Sequence, residues 1–246
     1  MLPLFLKKIR WRLLESFNRR EYSISGSGPV VSFTFDDFPR SALHTGGKIL
    51  KDYGFRGTYY ASMGLMGQPY STGSQFTDED ISKLLENGHE LGCHTYSHVS
   101  CRTSPSKFHD DAIKGRDAVA EITGRNTPQS FSYPQGHVAF RSKRLIGKEF
   151  VCCRGIFPGV NTSPADLNLL RANSVYSGGF DIEAVKRLFN ENEQCNGWLI
   201  FYTHDVSDNT SPYGCTPDEF KSVVDLASKM KNLVVPVGSV IRQNQN

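Results

Sequence analysis

The chain has 246 residues, 38% of them hydrophobic, with a net charge of +3 and six cysteines. This length allows one large α/β domain or two small ones, and so small a net charge argues against a nucleic-acid partner. No apolar run reaches the roughly 18 residues needed to cross a bilayer. The cysteines (Cys93, Cys101, Cys152, Cys153, Cys195, Cys215) follow no CxxC or zinc-knuckle spacing, so they read as reduced thiols.

The charge is uneven. Residues 1–21 hold six basic residues against Glu15 and Glu21, a net +4, which leaves −1 for the rest of the chain. Residues 2–20 read as an amphipathic helix, with Leu2, Phe5 or Leu6, Ile9, Leu13 and Phe17 at helical spacing. Two readings stay open. The stripe packs across the domain with its basic residues solvated, or it lies on an anionic membrane surface. The apolar start runs into basic residues instead of following them, unlike a secretory signal. The expected location is therefore the cytoplasm, with peripheral contact at the inner membrane face under the second reading.

Val30 to Phe35 form a near-continuous apolar run, the pattern of a strand buried on both faces, and it ends in Asp36 and Asp37. Two adjacent carboxylates there serve either a turn or helix cap or a site at the C-terminal end of a parallel strand. A helix is expected over 41–53, a strand at Gly57–Ala61 and a glycine-punctuated loop over Gly64–Gly73. Thr77 caps a helix ending at Gly88, and His89–Cys93 is the next strand. Further helices are expected over 104–123, 140–148, 181–193 and, opened by Pro217, to about Lys229. Strands are expected at 129–133, 150–153, 169–175, 198–203 and 233–235. Some seven alternations of strand and helix predict a parallel α/β domain, closed or nearly closed into a barrel.

Two further strand ends carry chemistry. His94 and His98 lie four apart, one face of a helical turn, where both could meet one ion completed by a carboxylate. The plainer reading is two unrelated loop residues. His204 ends the apolar run Trp198–Thr203, with hydrogen bonding in the core as its plainer role. All three groups would open on one face of a parallel barrel.

Thr34-Phe35-Asp36-Asp37, His94-Thr95-Tyr96-Ser97-His98 and the Leu199–His204 strand resemble the motifs of the polysaccharide deacetylase (NodB-homology) superfamily, carbohydrate esterase family 4. The resemblance covers roughly residues 28–240. It implies a single-domain deformed (β/α) barrel over 28–246; the basic amphipathic helix and its lead-in, residues 1–27, lie outside the resemblance. It also implies a divalent metal, usually zinc, and removal of an N-acetyl or N-formyl group from an amino sugar. The implied metal ligands are Asp37, His94 and His98, with Asp36 as base, His204 as acid and the Gln135 backbone N–H as oxyanion donor.

The middle motif departs from the family pattern. Ser132-Tyr133-Pro134-Gln135 stands where many relatives have Arg-x-Pro-Tyr. Arg154 is the candidate replacement for that arginine, a helix-capping or surface role being its alternative. Asp166 is the candidate for orienting His204. Tyr133 and Tyr96 are candidates to face the sugar, core or rim packing being the commoner role for such residues. His44, His89, His109 and His137 are read as structural or surface residues, and Cys93 as a small packing group. With no export signal read, the expected substrate is an intracellular lipid-linked or nucleotide-linked sugar of a bacterial surface glycan. The alternative is a catalytically weak or inactive carbohydrate-binding relative.

Overall fold

The structure, a computed structural model, describes residues 4–24, 28–124 and 130–243. Helix α1 spans Leu4–Ser16, and strand β1, Glu21–Tyr22, follows it. Strand β2 is Val30–Asp36. A π-helical turn, Ala42–Gly47, runs into α2, Lys48–Asp52, and then comes β3, Thr58–Ala61. The expected loop after it holds a small hairpin, β4 (Pro69–Tyr70) with β5 (Gly73–Ser74). Helix α3, Asp78–Glu86, starts at Thr77 in a capping box closed by Asp80. Next come β6 (Glu90–Cys93), α4 (Pro105–Thr123), β7 (Ser130–Ser132), α5 (Phe140–Ile146) and β8 (Cys152–Arg154). Of the extended run expected over 169–175, strand β10 is Asn173–Ser174, and it is preceded by a short strand β9 (Ala165–Asp166) that was not expected. The chain continues with α6 (Ile182–Cys195), β11 (Trp198–Thr203), α7 (Pro217–Lys229), β12 (Leu233–Val234) and α8 (Val237–Gln243). Helix α8 was not expected: its apolar residues, Val237, Val240 and Ile241, are too few to show a period.

The main sheet runs β10-β11-β2-β3-β6-β7-β8 with every neighbour parallel, and β12 pairs with the start of β2. Leu170 bridges Arg154, so the stretch Leu170–Ser174 reaches from β8 to β11 and brings the two edges of the sheet together. The result is the deformed (β/α) barrel expected from the alternation.

Strand β2 is buried throughout, but its two faces differ. Val31, Phe33 and Phe35 pack outward with Leu50, Phe220 and Val223 beneath the helices. Ser32, Thr34 and Asp36 turn to the other face, where Ser32 Oγ donates to the Val235 carbonyl and Thr34 Oγ1 to the Phe201 carbonyl, both at 2.8 Å. Deeper in the barrel, Glu90 accepts from Thr58 Oγ1 at 3.0 Å and from Ser130 Oγ and the Gly238 N–H, both at 2.8 Å. That carboxylate at the N-terminal end of α8 suits the helix dipole and ties α8 across the base of the barrel.

The N-terminal helix is anchored to this body on one side. Trp11 stacks on Phe157 at 4.7 Å, and Leu14 is buried in a cluster with Val138, Ile146 and Phe150. The buried Lys143 amine donates to the carbonyls of Leu14 at 2.5 Å and Phe17 at 2.7 Å and to Asp166 at 2.6 Å. These bonds satisfy carbonyls that a helix end leaves open. Of the expected apolar stripe, Ile9, Leu13 and Phe17 face solvent instead; Leu2 and the side chains of Phe5 and Leu6 lie outside the described residues. The cysteines are unbridged, and all but Cys195 are buried.

His89 makes stability depend on pH. Its Nδ1 accepts the Gly57 N–H at 3.0 Å, so the ring is neutral there. Burial, with Arg56 and Lys51 nearby, pushes its pKa from 6.5 down to about 4. A folded value below the unfolded one gives a contribution that is full above pH 6.5 and is lost as the pH falls toward 4. The loss by the lower end of that window is about 3 kcal/mol. His89→Asn retains an acceptor and does not titrate. Its urea midpoint should change less with pH across this window than that of the unsubstituted chain; parallel profiles would remove His89 as the cause.

Candidate metal centre and active site

Asp37, His94 and His98 converge at the C-terminal ends of β2 and β6. Asp37 Oδ1 lies 3.2 Å from His98 Nε2 and 3.6 Å from His94 Nε2, and the three donor atoms all fall within 4.8 Å of one another. Both rings are aimed by their far nitrogens. His94 Nδ1 is 2.8 Å from the Ser132 carbonyl, and His98 Nδ1 is 2.8 Å from the Tyr70 hydroxyl. Burial pushes His94 down to about 4, which keeps it neutral, the state in which imidazole ligates metal. Asp37 Oδ1 is buried without a hydrogen-bond partner, a costly condition that a cation at this point would relieve. Two imidazoles and one carboxylate are a three-ligand set that suits a catalytic divalent ion.

The geometry of the pair differs from the expected helical turn. Residues 94–98 are a loop in which Thr95 and His98 take left-handed backbone angles, φ +60° and +55°. The loop is held from α4: Asp111 Oδ1 accepts the N–H groups of Tyr96 at 2.9 Å and Ser97 at 2.8 Å. Asp37 and Phe38 are left-handed as well, φ +61° and +57°, which turns the chain sharply after β2.

Asp36 points into the barrel. Arg154 Nη2 donates both to Asp36 Oδ1 and to Ser132 Oγ, and the guanidinium lies over the rings of Tyr202 (4.9 Å) and Tyr60 (5.2 Å). Burial alone would raise the Asp36 carboxyl. Arg154, helped by His94 and His204, outweighs it and holds the pKa at about 2. Ser132 and Arg154 are register partners across β7 and β8, so the cation approaches Asp36 from one strand over.

A cavity of about 490 Å³ lies over these groups, with Asp36, Asp37, His94, His98, Gln135 and His204 among its walls. His204 Nε2 is 3.9 Å from Asp37 Oδ2, and its Nδ1 is 3.2 Å from the Tyr213 carbonyl. Gln135 occupies a tight turn at φ +57°. His137, read as structural or surface, also reaches the wall, with Ser100 Oγ 2.8 Å from its Nδ1.

Three expectations are corrected. Tyr133 is fully buried and donates to the Asn168 carbonyl at 3.2 Å, packed on Phe131; it does not face the cavity. Tyr96 points away from the cavity, with the Lys114 ammonium 3.7 Å from its ring centre. Asp166 is paired with Lys143, so the Tyr213 carbonyl occupies the place at His204 that Asp166 was expected to fill. The aromatic groups that do line the cavity are Tyr70, Tyr176, Tyr202 and Tyr213. Tyr70, Tyr176 and Tyr213 come from loops with no motif, the Tyr70 hairpin having only its glycines as a signal, and Tyr202 lies in the Leu199–His204 motif, where it reads as one residue of a buried apolar run.

The family model described as polysaccharide deacetylase matches residues 24–148, half of the chain. None of the curated proteins compared matches. Among solved structures, a family 4 acetyl xylan esterase from Clostridium thermocellum, in complex with a cobalt ion, is 18% identical with a TM-score of 0.59 and covers 87% of this chain and 91% of its own. The Xyl-CE4 domain of a multidomain xylanase from the hindgut metagenome of Trinervitermes trinervoides is 14% identical with a TM-score of 0.57, covering 89% and 92%. Bacillus subtilis PdaA, a family 4 carbohydrate esterase, is 12% identical with a TM-score of 0.57, covering 98% and 91%. At these identities the structures speak for the fold, and the family model adds the sequence signature of its first half. The chain belongs to the polysaccharide deacetylase family.

Proposed function

We propose that the chain is a metal-dependent hydrolase that removes an N-acetyl or N-formyl group from an amino sugar in a glycan or glycan precursor. Asp37, His94 and His98 would hold the ion, and two imidazoles with a carboxylate suit zinc. The observation that carries the reading is an ionised Asp36 and a His204 on the walls of one cavity, flanking that triad. When bound, the ion would polarise the amide carbonyl and acidify a water.

The chain's own groups supply the remaining chemistry. Asp36 accepts the proton of the attacking water. Arg154 keeps that carboxylate ionised and fixed, at the cost of some basicity. The Gln135 N–H, carried on a tight turn, donates to the developing oxyanion. His204 gives its proton to the leaving amine, and the Tyr213 carbonyl, by accepting from Nδ1, sets Nε2 toward the cavity. A binding-only relative would need neither an acid nor a base, so the pairing of Asp36 with His204 favours catalysis. A lipid-linked or nucleotide-linked sugar of a bacterial surface glycan is the substrate we favour.

Release of acetate from N-acetylglucosamine oligomers tests the activity. It should vanish on chelation and return with zinc or cobalt; metal-loaded protein that binds the oligomers without hydrolysing them would support the binding-only relative instead. Elemental analysis should find one divalent ion per chain, lost in His94→Ala. Undiminished loading in that variant would place the ion elsewhere.

Asp36→Asn and His204→Ala should each keep the ion and lose about 10²-fold or more in kcat, the scale of a missing base or acid. Loss of the ion in Asp36→Asn would mean that the two aspartates exchange roles. Arg154→Met leaves the Asp36 carboxylate buried and unpaired, so kcat should fall and stability should drop by about 3 kcal/mol. Unchanged kinetics and an unchanged urea midpoint would deny Arg154 this role.

A further inference from the structure

The N-terminal helix spends only one side on the barrel. Trp11 and Leu14 face inward, and Lys143 caps its last turn. On the other side Ile9 (38% exposed), Leu13 (53%) and Phe17 (38%) stand one turn apart in a row. The row continues onto α5, where Phe140 (39% exposed) meets the edge of Phe17 at 5.2 Å. These four are more than half of the large apolar side chains that the described residues expose. Cations flank them: Arg12 on α1 and Arg141 and Arg144 on α5 are all exposed. The one acid on these two helices, Glu15, is taken up by Arg171.

We propose that this face docks on an anionic lipid bilayer. Apolar side chains in line, bordered by arginines, match a surface with an acyl interior beneath negative headgroups. A second copy meeting the same face by two-fold symmetry would set arginines against arginines. The placement of the helix connects this face to the catalytic cavity. Arg10 Nη2 donates to the Val138 carbonyl at 2.8 Å, and Trp11 lies on Phe157; these partners directly follow His137 and Ile156 of the cavity wall. At the other end, Arg20 bonds the carbonyls of Phe150 at 2.9 Å and Val151 at 2.8 Å, ahead of β8. The helix therefore runs from the rim of the cavity down the side of the barrel, and its N-terminal end lies on the side where the cavity opens. Docking on it would bring the mouth to sugars held on lipid anchors. That last step rests on the deacetylase reading; the docking itself does not.

Sedimentation with vesicles tests the docking, using phosphatidylcholine alone and phosphatidylcholine with about 30% phosphatidylglycerol, an anionic lipid. The full chain should bind the anionic vesicles at least about tenfold more tightly than the neutral ones. The double variants Leu13→Gln/Phe17→Gln and Arg12→Glu/Arg144→Glu should each lose about tenfold or more in that binding. Because the changed side chains are exposed, both variants should keep the parent melting temperature. Hydrolysis of soluble oligomers should also be unchanged, so a failure of docking and a failure of the catalytic reading register in separate assays. No vesicle binding, equal binding to both compositions, or full binding by either double variant would overturn the proposal. So would a solution dimer that the substitutions dissociate without any vesicle binding.

Discussion

The site depends on one buried ion pair. Asp36 and Arg154 sit inside the barrel with almost no access to water. Burying two charges is costly and is offset only when geometry and further hydrogen bonds are good. Here Arg154 also bonds Ser132 Oγ and the Gly155 carbonyl and lies over the rings of Tyr60 and Tyr202. Breaking the pair would strand a charge, so each partner holds the other in place. The same pair keeps Asp36 ionised beside the donor atoms of Asp37 and His94. A scaffold with an apolar interior would have neutralised that carboxylate instead.

Around this pair the backbone is bent in an unusual way. Five of the eight non-glycine residues with positive φ among those described are Asp37, Phe38, Thr95, His98 and Gln135. Four of these carry or adjoin donor atoms of the triad, and the fifth presents the Gln135 N–H. Left-handed angles at such residues are unfavourable and persist only where the surroundings over-determine them. The restraints are visible. Asp111 grips the loop from His94 to His98, and Tyr70 and Thr72 from the β4–β5 hairpin reach His98 and Asp37. The hairpin therefore positions Asp37 and His98 as well as forming part of the wall.

The N-terminal helix shows how one element meets two demands. Its inward side joins a core cluster through Leu14 and Trp11, and the Lys143–Asp166 pair fixes its end. The described members of the stripe, for which packing and a surface role were both open, lie at the surface. Packing is taken over by residues between its members, so Ile9, Leu13 and Phe17 stay outside.

The sequence by itself determined the alternation of strands and helices and the polar groups at the ends of β2, β6 and β11, because burial period and local turn chemistry are written in neighbouring residues. It also pointed to Arg154 as a partner for Asp36, through the gap at Ser132. It could not determine where side chains from distant segments meet. Parallel register across β7 and β8 set Arg154 beside Ser132 and within reach of Asp36. Tyr133 and Tyr96 went to the core and to Lys114, and Asp166 to Lys143, since each found its best partner among residues far along the chain. Helical spacing correctly paired His94 with His98 but for the wrong reason: left-handed turns restrained by Asp111 bring them together. Only closure of the sheet, which brings Leu170 to Arg154, fixes which strand ends share one cavity.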